Sequence, residues 1–191
     1  MDKSDEALMT DYLAGNGGAL AAVFERYKRR LLNFALRMTN NRADAEDVVG
    51  DAFYMASSRR YQPRPAAKFS TWLYTVAHNL CIEKLRKGKR SIQISFYTAD
   101  GEKAPEFPDL SPGPAETAAG REMAGVVRGA VERLPFQYRT AILLREYENL
   151  EYVQIAEVMG VTLAAVKTLI FRGREKLRED LLPLVKGGPD A

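Results

Sequence analysis

Pro105, Pro108, Pro112 and Pro114 fall within ten residues of this 191-residue chain. Proline lacks a backbone N–H and clashes with the preceding turn, so neither a helix nor a central strand runs through such a cluster. Gly101 and Gly113 loosen it further, and helical periodicity stops from Ser91 to about Ala115. The chain is expected to fold as two small units, residues 1–92 and 116–191, joined by a flexible Pro-rich linker over 93–115. That linker is acidic, with Asp100, Glu102, Glu106 and Asp109 set against Lys103 alone. Self-repulsion should keep it extended. Ser91 to Tyr97 has a strand-like composition but nothing beside it to pair with.

On both sides of the break the apolar pattern is helical. Leu20, Val23, Phe24, Tyr27, Leu31, Phe34, Ala35 and Met38 share one face of a helix over 20–39. Ala45, Val48, Val49, Ala52, Phe53 and Ala56 do the same over 44–57, and Phe69, Trp72, Leu73, Val76, Ala77, Leu80 and Leu85 over 69–85. Helices are likewise expected over 116–133, 135–147, 151–159 and 163–182. No alternating stretch competes, so the fold class is all-α, with three or four helices around the first core.

Tyr152 to Phe171, YVQIAEVMGVTLAAVKTLIF, has the pattern of a helix-turn-helix. Ile155, Met159, Val161, Val166 and Leu169 would join two short helices, with small Ala156 where they cross. Gly160 stands where the turn needs a left-handed backbone, and Thr162 can cap a second helix beginning near Leu163. That helix would bury Val166, Ile170 and Leu177. It would show Ala164, Ala165, Thr168 and Arg172 to solvent, flanked by Lys167, Phe171, Arg174 and Arg178. A small, polar and basic face suits the DNA major groove.

The formal charge is only +3, so basic character matters by location. Lys84 to Arg90, KLRKGKR, holds five cations in seven residues, and Lys167 to Arg178 holds five against the single acid Glu175. Both are candidate phosphate-neutralising patches, although either alone is equally compatible with a solvated face. The first extends a basic and aromatic run, Lys68, Phe69, Trp72, Tyr74, Asn79, Lys84, Arg86, Lys87, Lys89 and Arg90, of the kind that holds single-stranded DNA. Phe69 and Trp72 also fit the inward stripe of their helix. Asp44, Asp47 and Asp51, with Glu46 beside them, line the outer face of the second helix. Like charges at that spacing are unfavourable by a few tenths of a kcal/mol, roughly, per pair unless a basic partner neutralises them.

Cys81 is the only cysteine and His78 the only histidine. An internal disulfide is therefore impossible, and no ligand set for a structural zinc is present. No cofactor or metal is expected. Met1 to Asp11 is polar and acidic, no apolar run is long enough to span a bilayer, and a soluble protein of the reducing cytoplasm fits.

Three segments, DAEDVVGDAF, KFSTWLYTVAHNLCIEKLRKGKR and LPFQYRTAILLREYENLEYVQIAEVMGVTLAAVKTLIFRGREKLRE, resemble the bacterial extracytoplasmic-function (ECF) sigma factors, two-domain members of the sigma-70 family. The resemblance implies a non-enzymatic protein that binds core RNA polymerase, directs it to promoters and helps open the DNA. It implies a sigma-2-like domain at 1–92 and a sigma-4-like domain at 116–191. Asp44, Glu46, Asp47, Asp51 and Phe53 then correspond to the surface that docks on the clamp of the large polymerase subunit. Lys68, Phe69, Ser70, Trp72 and Asn79 match the segment that captures a flipped base of the -10 element, with Lys84, Arg86, Lys87, Lys89 and Arg90 on the backbone upstream. The acidic linker matches the segment threaded toward the active-site cleft. Ala164, Ala165, Lys167, Thr168, Phe171, Arg172 and Arg174 fall on the face that reads the duplex -35 element. An anti-sigma factor is the usual regulator, and nothing beyond Leu184 resembles an additional sensory domain. The chain departs from the family where the recognition helix begins, having Ala164-Ala165-Val166-Lys167-Thr168-Leu169 where Gly-Thr-Val-Lys-Ser-Arg is frequent.

Two rivals make different demands. A stand-alone helix-turn-helix regulator would dimerise and bind duplex operator without polymerase. An enzyme using Asp44, Asp47 and Asp51 as metal ligands would need carboxylates converging from another helix.

Overall fold

The computed structural model describes residues 3–58, 61–62, 67–88 and 118–186. The linker, together with Lys89 and Arg90, lies outside the described residues. The first unit comprises α1 (Asp5–Leu13), α2 (Gly17–Thr39), α3 (Arg42–Ser57) and α4 (Phe69–Gly88). The second comprises α5 (Ala118–Arg133), α6 (Phe136–Ile142) running into a π-helical turn (Leu143–Tyr147), α7 (Tyr152–Met159) and α8 (Leu163–Lys186). The all-α, two-domain expectation holds.

Local chemistry sets the boundaries. The Asn16 side chain caps α2, which ends at Asn40 in the left-handed conformation at φ 51°. The Asp44 N–H donates to Asn41 Oδ1 at 3.1 Å, starting α3 two residues earlier than its apolar pattern suggests. Helix α1 was not anticipated, because its only buried residues, Leu8 and Met9, are adjacent and make no helical stripe. It nevertheless braces the site. Glu6 Oε1 accepts the Phe69 N–H at 3.0 Å, satisfying a free donor at the start of α4.

Val23, Leu31, Phe34, Ala45, Val48, Ala52, Leu73 and Ala77 form the buried interior of the first unit, whereas Phe24, expected inward, is 37% exposed. Cys81 lies fully inside; burial pushes its thiol up to about 12, which removes thiolate reactivity near neutral pH.

In the second unit α8 crosses α6 at Gly173. A Cβ there would lie 2.8 Å from Ile142 Cγ1, so glycine is what lets the two helices approach. The two units do not stand apart. Helix α4 packs against α7, α2 meets α5 and α6, and one apolar core runs through both. Among the described residues no single helix is long and apolar enough to cross a membrane.

Candidate nucleic-acid interface

The recognition unit is built as its sequence implies. Helices α7 and α8 are bent by 99°, within the range of a helix-turn-helix. Gly160 takes the left-handed conformation at φ 65°, and the Ala165 N–H donates to Thr162 Oγ1 at 3.2 Å. Ile155, Val166 and Ile170 are buried, and Leu177 packs on the core. Ala164, Lys167, Thr168, Phe171 and Arg172 are exposed and Ala165 is half-buried, so the small, basic face looks outward with the Phe171 ring 66% exposed. Arg174 is exposed as well, but its guanidinium holds Glu146 of the π turn through Nε at 3.1 Å and Nη2 at 2.6 Å. It fixes α8 to the turn below it. Leu169 packs on the core, so the residue standing in place of the family's arginine serves helix packing.

The acidic stripe on α3 is also largely exposed: Glu46, Asp47 and Asp51 face solvent and Asp44 is half-buried. It is partly neutralised within the chain. Lys84 of α4 places Nζ 2.6 Å from Asp47 and 3.7 Å from Asp44, and that hydrogen bond to Asp47 holds its ammonium above the usual lysine range. Glu46 pairs with Arg42 one turn earlier at 2.7 Å. Phe53 is buried, and its edge meets the Phe24 ring at 4.8 Å. Any contribution of Phe53 to docking therefore runs through Phe24, which with Leu32 and Val49 floors an apolar groove of about 390 Å³ rimmed by Lys28, Arg29 and Glu46. Sequence periodicity missed Phe24 as a surface residue, since an aromatic at a core-spaced position gives no sign that it lies at the edge of the stripe.

The basic-aromatic run separates into two groups. Lys68, Asn79, Arg86 and Lys87 are exposed, the last paired with Glu83 at 2.6 Å. Ser70 and Trp72 are half-buried, with Trp72 tilted against Tyr61 at 5.3 Å. Phe69 requires a correction: it is completely buried, edge-on to Tyr61 at 5.0 Å and Tyr27 at 5.9 Å, so it supports the surface from below and offers no face to a base. His78 is buried and stacked on Phe136 at 5.6 Å, its Nδ1 without a partner.

Residues 23–91 match the family Sigma-70 region 2, and residues 125–177 match Sigma-70, region 4. The ECF RNA polymerase sigma factor SigW of Bacillus subtilis is 31% identical over 173 residues, covering 89% of this chain and 92% of the relative. The chain belongs to the ECF sigma factors. The ECF RNA polymerase sigma-E factor of Escherichia coli is 29% identical over 187 residues, covering 96% and 97%. Among solved structures, CnrH in complex with the cytosolic domain of CnrY superposes with a TM-score of 0.67 at 22% identity, covering 94% of this chain and 97% of that one. The sigma factor RpoE in complex with the anti-sigma factor NepR from Bartonella quintana gives 0.66 at 21%, covering 84% and 95%. These two likenesses establish the fold.

As a sigma factor the chain is a transcription-initiation protein and not a stand-alone regulator. Arg30, Arg139 and Glu148, which join the two units, carry no sign of that role in the sequence, and Tyr74, placed there in the DNA-holding run, turns inward to the same contact.

Proposed function

We propose that this sigma factor docks on core RNA polymerase through the acidic stripe of α3 and the adjoining Phe24 groove, and reads promoters with α4 and α8. Asp44, Asp47 and Asp51 supply the charge that meets a basic partner helix, and the groove receives its apolar side chains. Lys68, Ser70, Trp72 and Asn79 take the non-template strand of the -10 element, while Arg86 and Lys87 neutralise phosphates upstream. Lys167, Thr168, Phe171 and Arg172 enter the major groove at the -35 element, with Ala164 and Ala165 permitting close approach. The protein works in the cytoplasm without a reaction of its own, and an anti-sigma factor covers these faces when it is silent.

The observation that carries this reading is the segregation of charge. The exposed acids Glu46, Asp47 and Asp51 stand together on α3, whereas Lys167 and Arg172 stand together on the exposed face of α8. One surface suits a basic protein and the other a polyanion.

In vitro transcription with core polymerase, with and without the protein, over a fragmented source genome is the direct test. New start sites sharing a common upstream pair of elements are expected. Absence of any promoter-specific transcript sinks the reading.

A further inference from the structure

The contact between the two units is centred on a buried carboxylate. Helix α6 relaxes into the π turn at Leu143–Tyr147, where the Glu148 N–H donates to Leu143 O at 3.2 Å and the Leu150 N–H to Leu144 O at 3.0 Å. Asn149 takes a left-handed φ of 55°, a conformation asparagine tolerates better than most residues. These two irregularities turn Glu148 out of the second unit and into the first, where it is 6% exposed. There Arg30 Nε of α2 donates to Glu148 Oε2 at 3.0 Å, Arg30 Nη2 donates to the Glu148 carbonyl at 3.1 Å, and the buried Tyr74 hydroxyl of α4 donates to the same carboxylate. A π turn is a rare element that recurs at functional positions.

Other contacts surround this centre. Gln154 Nε2 of α7 donates to Thr71 Oγ1 of α4 at 2.9 Å, while its Oε1 accepts the Glu151 N–H at the start of α7. Arg139 Nη1 of α6 donates to the Arg37 carbonyl of α2 at 3.2 Å, and the Arg37 guanidinium lies over the Tyr147 ring at 4.1 Å. The polar cleft beside the centre, about 150 Å³, is lined by Lys68 and Ser70 together with Arg30, Tyr74, Glu148 and Gln154. Two residues assigned to the -10 strand thus face the contact itself.

We infer that the Arg30–Glu148–Tyr74 contact is an intramolecular clasp that holds this sigma factor closed when free, and that it must part before the two DNA-reading helices can occupy one promoter. The inference rests on the function proposed above. Elements centred near -10 and -35 lie about 25 base pairs apart, or about 85 Å along a duplex at 3.4 Å per pair. A compact body of about 150 residues is only about 40 Å across. Units in direct contact cannot read both elements. A partner that binds only the open form binds more weakly by the fraction of molecules that are open, so the clasp sets the apparent affinity for polymerase.

The test uses the full-length protein carrying fluorophores at Ser58→Cys on the first unit and Glu179→Cys on α8, with the distance between them followed in the free state. Wild type should give one short distance. Glu148→Gln keeps the shape but removes the charge, and Arg30→Gln removes the other partner from a half-exposed position. Each should raise the open-to-closed ratio by roughly tenfold or more, since hydrogen bonds to a charged group are of that strength. The double variant should add little, because both substitutions remove the same contact. Affinity for core polymerase should rise in parallel until the open form dominates. Retained helicity by circular dichroism separates opening from unfolding, and if one variant fails to fold the other still gives the measurement. Identical distance distributions in wild type and the folded variants, or a wild type already open, would overturn the clasp. The distance measurement involves neither polymerase nor DNA, so a protein that opens on substitution yet drives no transcription would refute the functional reading and leave the clasp standing.

Discussion

Replacing His78 should flatten the acid side of the protein's stability profile. The imidazole is 5% exposed, its Nδ1 has no partner, and it is stacked on Phe136 across the contact between α4 and α6. Burial alone pushes it down from 6.5 to about 4. A base whose folded value is depressed resists protonation only in the folded state. Its penalty is therefore absent well above pH 6.5, grows as pH falls through the unfolded value, and is complete below about 4. At pH 5 the unfolded chain is almost fully protonated at this site and the folded protein scarcely at all, a difference of about 2 kcal/mol. In urea that amounts to about 1 M in the unfolding midpoint. The measurement is a set of urea titrations at pH 7.5 and pH 5 on wild type and His78→Leu, at constant ionic strength. Carboxylates that also titrate in this range are shared by both proteins and cancel in the comparison. Wild type should lose about 2 kcal/mol more than the variant between the two pH values. Equal losses would show that His78 is hydrated or partnered in solution, and the burial argument would fail.

Three other substitutions probe the remaining assignments. Asp47→Arg removes the carboxylate that lies 2.6 Å from Lys84 Nζ and puts a second cation beside that lysine, so core-polymerase affinity should fall by about tenfold or more while duplex affinity is unchanged; equal core affinity counts against the docking surface. Arg172→Ala should reduce transcription from promoters dependent on the -35 element by about tenfold, and an unchanged transcript on every target would show that the recognition face is misplaced. Gly173→Ala adds a methyl 2.8 Å from the buried Ile142. Overpacking of about 1–3 kcal/mol should exceed the helix-propensity gain of about 1 kcal/mol, so thermal or urea unfolding should show net destabilisation.

The helix-turn-helix was legible because every feature of it is local. Its turn glycine, its capping threonine and its buried Val166 and Ile170 lie within a few residues of one another, where helical geometry alone relates them. The acidic stripe was legible for the same reason. The pairing of Lys84 with Asp47 was not legible, since it depends on how α3 packs against α4, 37 residues apart in sequence. Phe69 fitted both the inward stripe and the DNA-holding run, and only the packing of Tyr27 and Tyr61 on its ring decides for the interior. Gly173 gives no sequence sign of its role, because a glycine within a helix reads only as a weak spot until the partner helix is in place.

Least legible of all was the contact between the units, and its composition bears on what it is for. A permanent interface is expected to resemble a domain core, largely apolar and free of charge. Here the centre is a carboxylate, a guanidinium and a phenol, flanked by an amide bonded to a hydroxyl and an arginine bonded to a backbone carbonyl. Each of these groups can exchange its partner for water when the units separate, and Arg30 is already half in solvent. The apolar core that runs through both units, with Phe136 stacked on His78 beside it, supplies affinity for the closed form. The polar part keeps the exposed faces hydrated in the open form and fixes the register on return. Such a surface suits two units that must alternate between meeting each other and meeting DNA, and the charge buried at its centre is where the balance is most easily shifted.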